Sequence, residues 1–230
     1  RAINETMRSV VWQNGDNDES GVTDVVVRVR VTSPGVPDLT LVDLPGLARV
    51  AVQGQAADVP KLTRSLAAKY IASPNTIILV VVPCNADVAT AEALQLAAEA
   101  DPSGARTVGV LTKPDLMDPG TEQTLGDVLD GRLVRLKDHG YFVVRNRGQL
   151  ALEHGVELGE ALRGEKDFFE RHSVFSKMSR DDHPGRFGTA GLVRYLTKVL
   201  VGRIAAEIPA LRARVEERLL TESSNLASIA

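Results

Sequence analysis

The chain has 230 residues, 43% of them hydrophobic and 25% charged, with a net charge of -3. That composition excludes a disordered chain and gives no basic bias toward nucleic acid or an anionic membrane; it suits one α/β domain with an appendage. A single cysteine, Cys84, allows no disulfide within the chain and fits a reducing, cytoplasmic setting, and no apolar run approaches the roughly 18 to 20 residues of a membrane span.

Residues 1–21 are polar, end in NGDNDESG, and read as a connecting segment or insertion. Val22–Thr32 (VTDVVVRVRVT) alternates in its second half, as a half-exposed strand does, with Arg28 and Arg30 on its solvated face. After the turn SPGVPD, Leu39–Leu44 reads as a short buried strand and Leu44–Pro60 as a loop. Lys61–Ala72 is helical. Thr76–Pro83 (TIILVVVP) has the β-branched run of a strand buried on both faces. Val88–Ala100 is helical, with Glu92 and Glu99 on its surface, and Arg106–Thr112 (RTVGVLT) is the next strand. Thr121–Asp138 reads as one helix, acidic early and basic late (Arg135, Lys137), in line with the helix dipole. Tyr141–Val144 is a further strand and Glu157–His172 a further helix. Strands thus alternate with helices at the spacing of βαβ units, which predicts a largely parallel sheet with helices on both faces. From Gly188 an apolar stripe (Leu192, Leu196, Leu200, Ile204, Ile208) predicts a long helix, interrupted and bent at Pro209.

In open α/β sheets, ligands bind beyond the carboxyl ends of the strands. Three such ends here carry chemistry. In Asp43-Leu-Pro-Gly46 the carboxylate can hold Mg²⁺ of a nucleoside triphosphate through a water, and the glycine N–H can reach a γ-phosphate; a turn-capping Asp before Pro45 is the plainer alternative. In Thr112-Lys113-Pro114-Asp115 the carboxylate can accept both the N1–H and the 2-amino group of guanine, while the Lys113 stem lies along the base; a solvated Lys and a turn-forming Asp next to proline are the plainer alternative. In Asn146-Arg147-Gly148-Gln149 the amides can touch base and ribose, although these four residues alone would be a plain loop. The order and spacing of the first two, 43 and 115 with a strand–helix unit between, are those of a guanine-nucleotide fold.

VDLPGLARVAVQGQAADV, VVVPCNADVATAEALQLAAEADPSGARTVGVLTKPDLMDPGTE and GTAGLVRYLTKVLVGRIAAEIPALRARV resemble the dynamin superfamily of large GTPases, above all its Mx-type and classical dynamin members, over about residues 36–220. The resemblance implies a P-loop NTPase-like fold and a GTPase coupled to self-assembly and to remodelling of membranes or filaments such as microtubules. It implies that Asp43 and Gly46 form switch II, with Arg49 at a position that is usually basic. Thr112, Lys113, Asp115 and Asp118 fall in its guanine-reading segment, and Asn146, Arg147 and Gln149 in its base- and ribose-contacting loop. Asp87 falls in a loop that reaches a second GTPase domain. Residues 22–187 then correspond to the GTPase domain, and 188–230 to its last helix and the start of the adjoining bundle, with Pro209 at a hinge. GTP or GDP, Mg²⁺ and, in the complete protein, a monovalent cation are the implied cofactors, and no nucleic-acid partner is implied.

The family's phosphate-binding loop, G-x-x-x-x-G-K-[ST], has no match in the sequence, and the switch I threonine has no clear counterpart. Both are expected N-terminal to residue 22. The chain begins at Arg1 rather than Met, so the expectation is an N-terminally truncated fragment that retains no catalytic group. A degenerate, non-hydrolysing assembly module is the alternative. The four histidines share no metal-ligand spacing.

Overall fold

The computed structural model describes residues 25–32, 39–47 and 58–229. Its centre is a three-stranded parallel sheet in the order β1 (Ile78–Pro83), β2 (Thr107–Thr112), β3 (Tyr141–Val144). The register pairs Pro83 with Thr112 and Thr112 with Val144, so the three strands end level. All four residues of β3 and the first five of β2 are buried. Burying a Val, Leu or Phe in such a place contributes about 1.5 to 3 kcal/mol.

Helices cover both faces, as the βαβ spacing predicts. Ile78, Val80, Val82, Leu111, Tyr141 and Val143 belong to the main core. Helix α1 (Val59–Ile71) turns Thr63, Leu66, Ala67 and Ile71 inward, and α2 (Glu92–Ala100) turns in Leu94, Leu96 and Ala97. Arg64 of α1 ties the two helices together through Glu92 at 3.1 Å and Glu99 at 2.8 Å. On the other face Val108 and Phe142 meet Leu196, flanked by Leu192 and Tyr195. Those residues belong to the last helix, so the apolar stripe read from the sequence packs on the sheet through its first turns only.

Between β2 and β3 lies α3 (Glu122–Leu129). The sequence reading extends this helix to Asp138, and the structure ends it at Leu129. Gly131 takes a left-handed φ of 70°, and the Asp130 and Gly131 N–H groups bond back to the Gly126 and Val128 carbonyls. A glycine in that conformation closes a helix. Arg135 and Lys137 therefore lie outside it.

Beyond β3 come α4 (Gln149–Glu153), α5 (Leu158–Arg171) and α6 (Phe175–Lys177), which runs into a π turn at Met178–Asp182. The sequence reading places Gln149 at the end of a loop, and the structure makes it the first residue of α4. Gly188 and Val143 then join by a backbone bond of 2.8 Å, with Val143 N–H on the Arg186 carbonyl at 2.9 Å, and seal the free edge of β3. Helix α7 (Thr189–Ile229) runs through Pro209 as one element. At 41 residues it measures about 60 Å. Among the described residues none covers its later stripe: Ile204, Ile208, Leu211 and Val215 are more than half exposed.

Two expected strands are absent. Residues 25–32 and 39–47 form no strand. Val26, Arg28 and Arg30 are exposed, and so are Val25, Val29 and Val31 on the opposite parity. Alternation specifies a strand only where one face is covered and a neighbour completes the ladder. Val81 of β1 is 55% exposed, although the sequence predicts a strand buried on both faces. Residues 1–21 and Arg49 lie outside the described residues.

Candidate functional site: the carboxyl edge of the sheet

Level strand ends bring three loops to one edge. Strands sit about 4.8 Å apart, so residues 84–87, 113–118 and 145–149 leave the sheet side by side. The Cys84 N–H closes on the Thr112 carbonyl at 2.7 Å, which fixes the first loop to the second.

The middle loop is the most constrained. Lys113 has φ 56° and is the only described non-glycine residue with a positive φ. A left-handed L-residue costs on the order of 1 kcal/mol, and such strain collects at functional sites. Here it turns the chain out of β2 and straight into a short 3₁₀ turn, Pro114–Leu116. Pro114 is buried and anchors the turn, whereas Lys113 and Asp115 are exposed. The Asp115 carboxylate accepts no hydrogen bond among the described residues; its one charged partner is Arg145, with Nε to Oδ2 at 3.7 Å. A carboxylate with open lone pairs beside two strand ends is a bidentate acceptor for a ligand with two adjacent N–H donors. Asp118 closes the loop by accepting from the Thr121 N–H at 3.0 Å and hydroxyl at 2.7 Å through its main-chain carbonyl, leaving its side chain exposed.

In the third loop Asn146 is exposed. The Arg147 guanidinium donates to the Val156 carbonyl at 2.6 Å, so its head is held by the α4–α5 connection. Gln149 opens α4, and its amide donates to Glu153 at 3.0 Å. In the first loop the Asp87 carboxylate accepts from the Ala89 N–H at 2.9 Å and caps the 3₁₀ turn Val88–Thr90. Cys84 lies under this edge. Burial, and next the charge of Asp115, push its thiol up to about 12.

The structure does not bring Asp43 and Gly46 to the end of a strand. They stand in the irregular stretch 39–47, which packs on the main core through Leu44 and Leu47. Asp43 is exposed and makes no hydrogen bond or ion pair among the described residues; open space surrounds Gly46. No group of three or more His, Cys, Asp or Glu able to hold a metal occurs among the described residues. A cavity of about 350 Å³ lies at the opposite, amino end of β2, lined by Leu94, Asp101, Thr107 and Leu136 among others. It is no part of the edge described here. Asp101 is spent within the fold. Burial opposes its charge, yet hydrogen bonds from Thr107, the Arg106 N–H and Ser103 hold its carboxyl below the usual range.

Sequence reasoning missed two residues. Arg145 faces Asp115, and Glu165 looks like one more charge on an amphipathic helix. Glu165 is 4% exposed. Its carboxylate accepts from the Arg145 N–H at 2.9 Å, the Thr189 N–H at 2.9 Å and the Thr189 hydroxyl at 3.0 Å. One side chain thus pins the end of β3 to the first turn of α7. The only trace in the sequence is a charge directly after the apolar run YFVV.

The model of the dynamin family matches residues 4–114, and that of the dynamin central region matches residues 124–230. The chain belongs to the dynamin family. Among curated relatives, the interferon-induced GTP-binding protein Mx of Epinephelus coioides is 45% identical over 199 residues, which is 86% of this chain and 31% of the relative. The interferon-induced GTP-binding protein Mx1 of Canis lupus familiaris is 47% identical over 197 residues, or 86% and 29%. Mx2 of Oncorhynchus mykiss is 44% identical over 199 residues, or 86% and 31%. This dynamin-family chain therefore spans about a third of the length of the relatives it matches. No helix among its described residues is long and apolar enough to cross a membrane.

Proposed function

We propose that the carboxyl edge of the sheet reads the guanine of GTP or GDP, and that the protein as a whole hydrolyses GTP. The observation that carries this reading is the Lys113–Asp115 turn. A strained backbone aims a carboxylate with open acceptor positions outward between two strand ends. Asp115 accepts the N1–H and 2-amino group of guanine. Adenine offers no such pair of donors and would leave the carboxylate unpaired. Lys113 covers the base with its stem. Thr112 ends the strand that sets the turn, and Asn146, Arg147, Gln149 and Asp118 border the base and ribose.

Asp43 fits the Mg²⁺ role as a single exposed carboxylate, since Mg²⁺ is commonly held by one or two carboxylates together with substrate phosphates and waters. Mg²⁺ supplies charge neutralisation at the phosphates when bound. No residue of this chain is assigned to a monovalent cation. Residues 22–187 form the GTPase portion and 188–230 its connector; α7 begins at Thr189 and is largely exposed beyond Leu196. Asp87 belongs to a contact with a second copy. Self-assembly, with membranes or microtubules as further partners in the cytoplasm, follows from the family alone.

The test is isothermal titration of the full-length protein. GDP binds and ADP does not; equal binding of the two overturns the reading. The 230 residues alone, which contain no G-x-x-x-x-G-K-[ST] match, bind a non-hydrolysable GTP analogue weakly and turn over GTP negligibly. Micromolar affinity in that titration refutes this. A second reading is an assembly module without hydrolysis, and GTP turnover by the full-length protein separates the two.

A further inference from the structure

We infer that Arg145 is a specificity-determining positioning residue: it holds the Asp115 carboxylate in the orientation that accepts two donors from one base. The inference rests on the guanine reading proposed above. Three observations carry it. The Arg145 guanidinium lies over the Phe168 ring, 4.7 Å from its centroid. Its main-chain N–H is fixed on Glu165, so neither end of the residue is loose. Its Nε is buried, has no hydrogen-bond partner among the described residues, and stands 3.7 Å from Asp115 Oδ2.

A buried donor without an acceptor is costly. Among the described residues the carboxylate in ion-pair range of it is that of Asp115, the one the base would use. A carboxylate has about four acceptor positions, so Oδ2 can receive Nε and still accept from a base. The stacked guanidinium is a planar, pre-ordered donor, which limits how far the carboxylate can rotate. That limit matters most for a ligand that needs both oxygens at once. Guanine gives two donors. Hypoxanthine lacks the 2-amino group and gives only N1–H, so it tolerates a rotated carboxylate. Arg145 therefore sets the discrimination between the two bases more than the affinity for either.

The experiment measures Kd for GDP and IDP on full-length protein carrying Arg145→Met, Arg145→Lys or Asp115→Asn. Met keeps an apolar stem over Phe168 and leaves the main-chain N–H on Glu165. For Arg145→Met, GDP binding weakens about threefold to fivefold, in keeping with a part-exposed ion pair. IDP binding changes less, so the GDP/IDP ratio falls, and Arg145→Lys restores part of it. In the Asp115→Asn background Arg145→Met has no further effect on the ratio. A merely structural role would weaken both nucleotides alike and leave the ratio unmoved, which overturns the inference. If Asp115→Asn itself leaves the ratio unchanged, the guanine reading fails and the inference falls with it. If Asp115→Asn lowers the ratio and Arg145→Met does not, only the inference fails.

Discussion

Replacing Asp115 by Asn in the full-length protein is expected to weaken GDP binding by about two orders of magnitude and to shift preference toward xanthine nucleotides. The size follows from losing a charge-assisted bidentate pair and leaving a donor facing a donor, roughly 2 to 3 kcal/mol. Guanine presents N1–H and a 2-amino group, both donors. The Asn amide keeps one acceptor for N1–H, and its own NH₂ then meets the 2-amino group head on. Xanthine carries a carbonyl in place of that amino group, which accepts from the NH₂. The substitution is nearly isosteric on an exposed side chain whose one charged partner is Arg145 at 3.7 Å, so the fold should persist. Competition of GDP and XDP against a fluorescent nucleotide reads both numbers. A variant that binds GDP as the parent does would remove Asp115 from the site.

The largest loss of stability is expected from Gly109→Ala. Gly109 sits in the middle of β2, opposite Tyr141 of β3. A Cβ there would lie 2.1 Å from Tyr141 Cδ1, 2.5 Å from Cε1 and 2.9 Å from Leu136 Cδ1. Tyr141 is 2% exposed, so its ring has nowhere to go without opening the core. Overpacking of that kind costs about 3 kcal/mol or more. For a domain of this size that lowers Tm by about 10 °C or leaves the protein insoluble. Tyr141→Val in the same chain should restore part of the loss, because the two residues compete for one volume. Thermal unfolding followed by circular dichroism decides, and a Tm within a degree or two of the parent would show that the ring yields freely.

How much of this was readable beforehand depends on what each signal needs. The runs at 76–83, 106–112 and 141–144 are apolar enough to demand burial wherever they sit, and they became β1, β2 and β3. The patterns at 22–32 and 39–44 are as strand-like, but a strand also needs an edge to pair with, and pattern does not record its neighbour. Helix α3 ends at Leu129 because Gly131 adopts a left-handed conformation, and the periodic residues after it could not show this. As a proposed guanine reader, Asp115 was legible because its motif lies in four consecutive residues, TKPD. Arg145 and Glu165 were not, since their partners Asp115 and Thr189 are distant along the chain and meet only in the folded edge. Asp43 was legible as a motif residue, but its expected seat at the end of a buried strand was not realised.

The protonated state of Cys84 has a practical side. A thiol pushed up to about 12, chiefly by burial, stays protonated at neutral pH, where an ordinary cysteine carries a few per cent of thiolate. Since the sequence has no second cysteine, the native chain should resist maleimide and iodoacetamide. A cysteine introduced on the exposed length of α7, for instance Glu217→Cys, then takes a dye or spin label alone, with no background to remove. Rapid alkylation of the unmodified chain at pH 7 would show instead that the ground beneath the carboxyl edge of the sheet is open to reagents.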